Sequence, residues 1–118
     1  MPERVLIVDD HAGFRKLARR LLQAIGHEVV GEAGTGEEAL SESRRLKPDL
    51  VLLDIQLPDL DGLAVAASLS SEPEPPAVVL VSSRDAADYG PRLQGCGALG
   101  FIAKAELSAE SLVALLGP

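Results

Sequence analysis

The chain has 118 residues, 47% hydrophobic and 25% charged, with 18 acidic against 11 basic side chains and a net charge of −7. That length fits one compact unit around one core. The acidity removes any electrostatic basis for gripping a phosphate backbone, and two Phe and one Tyr with no Trp make a poor base-stacking platform.

A single cysteine, Cys96, excludes an internal disulfide, and no apolar run reaches the length of a bilayer span or a signal-peptide core. A cytoplasmic protein is expected, with no membrane association and no direct nucleic-acid binding by this chain.

In chain order, Val5-Leu6-Ile7-Val8 is a continuous apolar run ended by Asp9-Asp10, which predicts a first strand. Phe14, Leu17, Ala18, Leu21, Leu22 and Ile25 then recur at helical spacing, with Gly26 as a stop signal. Glu28–Ala33 is the second strand, and His27 before it is placed in a solvent-facing turn. Thr35, three residues before Glu38, fits a capping box for a second helix with Ala39, Leu40 and Leu46 on one face. Pro48 closes that helix by biasing Lys47 away from helical backbone. Leu50-Val51-Leu52-Leu53 is the third strand and Gly62–Leu69 the third helix. Glu72-Pro73-Glu74-Pro75-Pro76 is a stiff surface connection to the fourth strand, Val78–Val81.

The fourth helix is the weak element. Within Asp85–Gly95, Gly90-Pro91 falls where a helix interior would lie, and proline there costs about 3 kcal/mol. A start near Asp88 would instead put Pro91 in the tolerated first turn, so a short or mobile fourth helix is predicted. Cys96 then reads as a small packing residue, with no adjacent Lys or Arg to make a reactive thiol. Gly100-Phe101-Ile102-Ala103 is a short fifth strand, and Ser108 caps a fifth helix ending at Leu116.

Apolar runs without alternation suit strands buried on both faces. Five successive βα units therefore predict an α/β fold, with a parallel sheet, right-handed crossovers and helices on both faces. In such sheets ligands bind beyond the carboxyl ends of the strands, which singles out Asp9, Asp10, Asp54, Ser82 and Lys104. If the first and third strands are neighbours, three carboxylates converge, and they repel unless a cation lies among them. Magnesium, hard and oxygen-seeking, suits that donor set. A transition metal would want His or Cys at set spacings, which His11 alone does not supply; His11 reads as an exposed loop residue beside the acids. Ser82 adds a hydroxyl and Lys104 a compact positive charge for phosphoryl oxygens. Singly, these are ordinary residues: a strand-end Asp usually caps a helix or forms a turn, and a lone Lys is usually solvated. Together they form a phosphoryl-acceptor site, in which electrostatics and positioning carry the transfer.

The segments that carry this chemistry resemble those of response-regulator receiver domains of two-component signalling. They are Val5-Leu6-Ile7-Val8-Asp9-Asp10-His11, Asp54-Ile55-Gln56-Leu57-Pro58-Asp59-Leu60-Asp61-Gly62, Val81-Ser82-Ser83 and Gly97-Ala98-Leu99-Gly100-Phe101-Ile102-Ala103-Lys104. The resemblance covers essentially the whole chain. Val8-Asp9-Asp10-His11 with Val30-Gly31-Glu32-Ala33 is most similar to the receivers of regulators with a LuxR-type helix-turn-helix output.

The resemblance implies a flavodoxin-like (βα)5 three-layer sandwich with strand order 2-1-3-4-5. It implies Asp54 as phosphoacceptor from a sensor histidine kinase or a histidine phosphotransfer protein, and leaves a homodimer open. By the same resemblance, Asp10, Asp54 and the main-chain carbonyl of Gln56 ligate Mg2+ directly, and Asp9 acts largely through water. Ser82 and Lys104 hold phosphoryl oxygens, and Phe101 is the aromatic whose rotamer follows Ser82. New charge at Asp54 would then switch the surface formed by the fourth helix, fifth strand and fifth helix. Ala105 follows Lys104 where many relatives have proline, so no cis peptide is implied. Residues 1–118 read as one receiver domain without an output domain, either free-standing or part of a longer regulator.

Three other functions would also use a strand-end carboxylate or this sheet architecture. A haloacid-dehalogenase-like phosphatase needs a general acid two positions after the nucleophile, where Gln56 stands. A flavodoxin-like cofactor binder needs a Gly-, Ser- and Thr-rich loop in place of Asp9-Asp10. The third, a receiver-like interaction module that works without phosphorylation, is kept open by Gly90-Pro91.

Overall fold

The structure, a computed structural model, describes residues 3–117; Met1, Pro2 and Pro118 lie outside it. In order, the elements are β1 (Arg4–Val8), α1 (Ala12–Ala24), β2 (Glu28–Ala33), α2 (Gly36–Leu46), β3 (Leu50–Asp54), α3 (Gly62–Ser70), β4 (Ala77–Ser82), α4 (Arg92–Gly95), β5 (Gly100–Ala103) and α5 (Ala109–Leu116). The sheet order is β2-β1-β3-β4-β5 with every pairing parallel. This is the expected flavodoxin-like arrangement.

Strand alternation explains why the apolar runs are continuous. Leu6, Val8, Val51, Leu53, Val78 and Leu80 belong to one core cluster, with Ala39 of α2 and Leu63, Val65, Ala66 and Leu69 of α3. Val5, Ile7, Leu50, Leu52, Val79 and Val81 belong to the other, with Ala18 and Leu22 of α1 and Leu112 of α5. Successive side chains point to opposite faces, and both faces are roofed by helices, so neither parity of the central strands can be polar. β2, at the sheet edge, is mostly half-buried, and its register slips between Val5 and Leu6 so that Val30 is passed over.

The helix boundaries have local causes. The Gly26 stop is real, with φ of +94° just past α1. Thr35 caps α2 by accepting the Glu38 N–H at 3.1 Å, but the capping box is only half formed. The Glu38 carboxylate instead lies 3.4 Å from the Thr35 hydroxyl, which donates to it. The remaining work comes from afar: Asp59 accepts the N–H groups of Gly36 at 2.7 Å and Glu37 at 3.0 Å. Lys47 leaves α2 in the left-handed region, φ 49°, outside the right-handed helical backbone that Pro48 disfavours at the preceding residue.

The fourth helix is short, as Gly90-Pro91 predicts. Ala86–Asp88 form a 3-10 turn, Gly90 takes φ of +59°, and Pro91 sits directly before the four residues of α4. Pro91 thus falls where its missing N–H is no loss. His27 departs from expectation. It is half-buried, because its Nδ1 accepts the Glu3 N–H at 2.9 Å and ties the turn to the chain before β1.

Candidate functional site

Adjacency of β1 and β3 is what assembles the site. Val8 pairs with Leu53, so Asp9 and Asp54 emerge side by side at the carboxyl edge, with Asp10 and His11 one step outward. Ligand atoms of Asp9, Asp10, His11 and Asp54 all lie within 4.8 Å of one another. Asp9 and Asp54 are buried, at 0% and 2% exposure, while Asp10 and His11 are exposed.

Local structure fixes each carboxylate. Asp9 Oδ1 accepts the His11 N–H at 2.8 Å, and the Arg15 guanidinium donates to the Asp9 carbonyl at 2.6 Å. Arg15 and Arg19 both pair with Glu32 of β2. Burial opposes charge on Glu32, but Arg19 and Arg15 outweigh it and hold its carboxyl below the usual range. Asp54 Oδ1 accepts the Gln56 N–H at 3.1 Å. Behind it, α3 starts at Gly62, where a Cβ would press into the Asp54 carbonyl oxygen and lie 2.5 Å from Ile55 Cα. Only glycine lets α3 approach the end of β3 so closely.

Lys104, one residue past β5, reaches inward. Its Nζ lies 2.6 Å from Asp9 Oδ2 and 3.4 Å from Asp54 Oδ2. Asp9 Oδ2 is fully buried and accepts no hydrogen bond of good geometry, so this contact is chiefly an ion pair. The ammonium also sits 4.5 Å above the centre of the Phe14 ring, a cation–π contact that sequence reading did not find. Burial alone would lower the Lys104 pKa, but Asp9 and Asp54 carry it above its ordinary value.

Asp54 is perturbed most. Burial pushes its carboxyl up from 3.8 to about 6. The Gln56 N–H works against that rise, the charge of Asp9 adds to it, and Lys104 opposes it. One ammonium thus serves two buried carboxylates, with a third acid beside them. Such a cluster of oxygen donors is short of positive charge, which is the condition a hard divalent cation meets. Asp9, Asp10 and Asp54 therefore fit magnesium. His11 Nδ1 lies 3.0 Å from Asp10 Oδ1 and 3.2 Å from Asp9 Oδ1, competing for the same oxygens from the solvent side.

Ser82, fully buried at the end of β4, has its hydroxyl 2.6 Å from that of Tyr89, and the Ser83 hydroxyl donates to the Gln56 side chain at 3.1 Å. Phe101 is half-buried and faces the Tyr89 ring with centroids 6.3 Å apart. Tyr89 and Phe14 are the residues near the site that sequence reasoning missed. Spacing placed Phe14 on the apolar face of α1 but not under Lys104, and Tyr89 belongs to no strand-end motif or periodic pattern.

The sequence matches the response regulator receiver domain model over residues 5–116. Response regulator GacA of Pseudomonas viridiflava is 39% identical over 113 residues, covering 95% of this chain and 53% of that protein. The chain spans about half the length of the curated relatives it matches. Among solved structures, the signal receiver domain assigned to NarL of Mycobacterium tuberculosis is 35% identical, with a TM-score of 0.84 over 99% of this chain and 98% of that one. A LuxR-family two-component response regulator from Aurantimonas sp. SI85-9A1 is 26% identical, with a TM-score of 0.86 over 97% of this chain and 81% of that one. With the match running from β1 to α5 and the acidic cluster standing where β1 and β3 end side by side, the chain belongs to the receiver domains of two-component response regulators.

Proposed function

We propose that Asp54 accepts a phosphoryl group from a phosphohistidine on a sensor histidine kinase or histidine phosphotransfer protein. The observation that carries this reading is a buried carboxylate, raised to about 6 by burial, lying against the Lys104 ammonium and beside two further acids. Deprotonated, the Asp54 oxygen attacks phosphorus, the P–N bond breaks, and an acyl phosphate forms on Asp54 as the imidazole leaves. The chain is the acceptor in a self-catalysed transfer and not a turnover enzyme.

Asp10, Asp54 and the Gln56 main-chain carbonyl would hold Mg2+, with Asp9 acting through water; bound there, the ion neutralises phosphoryl oxygens. Lys104, already poised between Asp9 and Asp54, can pair with a phosphoryl oxygen on Asp54. Ser82 donates to another, and Phe101 follows Ser82, so that charge on Asp54 biases the face made by α4, β5 and α5. Residues 1–118 are read as one receiver domain acting in the cytoplasm. Transcriptional output, as in the relatives named as regulators, would belong to a separate domain, and homodimerisation is one means by which the switched face could act.

Incubation with acetyl phosphate and Mg2+ should add a single phosphoryl group by mass spectrometry, lost in Asp54→Asn. An adduct that survives Asp54→Asn, or none at all, sinks the reading. The four-residue α4 favours the second reading, an interaction module independent of phosphorylation. That reading expects no adduct and unchanged partner binding in Asp54→Asn.

A further inference from the structure

Ser82 is committed before any phosphoryl group arrives. Its Oγ accepts the Arg84 N–H at 3.0 Å and lies 2.6 Å from the Tyr89 hydroxyl, at the short end of the range for such bonds. A serine hydroxyl has one proton and two lone pairs. Arg84 takes one lone pair, and Tyr89 takes either the proton or the other lone pair. If Tyr89 takes the proton, Ser82 cannot also donate to a phosphoryl oxygen. If Tyr89 is the donor, a shift of Oγ toward Asp54 stretches the bond unless the tyrosine follows.

The tyrosine is not free to follow. Its ring packs on the core cluster that includes Leu80 and Cys96 and faces Phe101. Its backbone is held between the Asp85–Asp88 capping box and α4, whose Arg92 is ion-paired with Asp61 of the β3–α3 connection.

We propose that Tyr89 is a positioning residue that latches the Ser82 hydroxyl away from Asp54, so that contact between Ser82 and a phosphoryl group on Asp54 requires the Ser82–Tyr89 bond to break. The inference rests on Asp54 as phosphoacceptor. It adds a residue from the β4–α4 connection to the switch and gives Phe101 a mechanical link to Ser82, since the ring it packs against is the one released. A bond present only in the resting arrangement lowers apparent affinity for anything that selects the other.

The test titrates the full chain with beryllofluoride in Mg2+, a phosphoryl mimic. Tyr89 is the only tyrosine and there is no Trp, so NMR signals of its ring are unambiguous. In the unaltered chain those signals should shift on saturation. Tyr89→Phe, which keeps the ring, should bind beryllofluoride about fivefold more tightly, the worth of one net hydrogen bond. In a Ser82→Ala background the same substitution should leave affinity unchanged within about twofold.

Equal or weaker binding by Tyr89→Phe overturns the latch. So does an equal gain with and without the Ser82 hydroxyl, since a ring that merely packs does not depend on it. Failure of the unaltered chain to bind beryllofluoride would instead remove the phosphoacceptor reading, and the latch with it.

Discussion

Asp54 is 2% exposed and faces the charge of Asp9, so ionising it in the folded chain works against both burial and a like charge. Its carboxyl carbon should titrate by NMR near pH 6 in the metal-free protein, and lower once Mg2+ is added. Between pH 3.8 and about 6 the folded chain holds a proton there that the unfolded chain has released. Metal-free stability from this group therefore falls as pH rises through that window. Asp54→Asn should remove that slope and raise metal-free stability on the order of 2 kcal/mol at pH 7.5, as read by urea unfolding in chelator. At Gly62 the constraint is steric instead of electrostatic. Gly62→Ala drives a methyl into the Asp54 carbonyl oxygen and Ile55 Cα, and should cost about 2–4 kcal/mol, seen as a lower urea midpoint. The place of Asp54 in the acidic cluster was legible from its position at the end of an apolar run. The need for Gly62 was not, because it arises from the approach of α3 to β3.

At the scale of elements, a cap could be read from sequence when both partners lay within one turn. Ser108 accepts the Ser111 N–H at 3.0 Å, and the Ser111 hydroxyl accepts the Ser108 N–H at 2.9 Å. Ser108→Ala should therefore loosen α5 and cost about 1 kcal/mol by chemical denaturation. The start of α2 was only half legible. Thr35 caps it as its spacing indicates, but the Asp59 carboxylate comes from the loop after β3. The Gly36 and Glu37 N–H groups that it accepts hold its carboxyl below the usual range. No local pattern announces a partner 23 residues away. The shortness of α4 was legible, because Pro91 cannot lie in a helix interior and so sets where α4 starts; its tether through Arg92 and Asp61 was not.

Across the whole molecule, the acidity has two parts. Asp9, Asp10 and Asp54 share one corner, where their charges oppose one another and the ammonium of Lys104 meets only part of the demand. Magnesium binding there should stabilise the fold by about 2.7 kcal/mol at a hundredfold excess over Kd. Thermal unfolding should show that gain, chelator should reverse it, and Asp54→Asn should lose most of it. By itself the sequence determined the five strands, the parallel sheet and the strand-end residues. Each of these follows from local causes, such as an unbroken apolar run, a stop residue or the rule that ligands gather at carboxyl ends. Only the tertiary structure decided which groups meet: Lys104 with Asp9 before Asp54, Phe14 beneath the ammonium, Tyr89 on the Ser82 hydroxyl. Those pairings depend on the reach of side chains across separate elements, and that distance is set by packing.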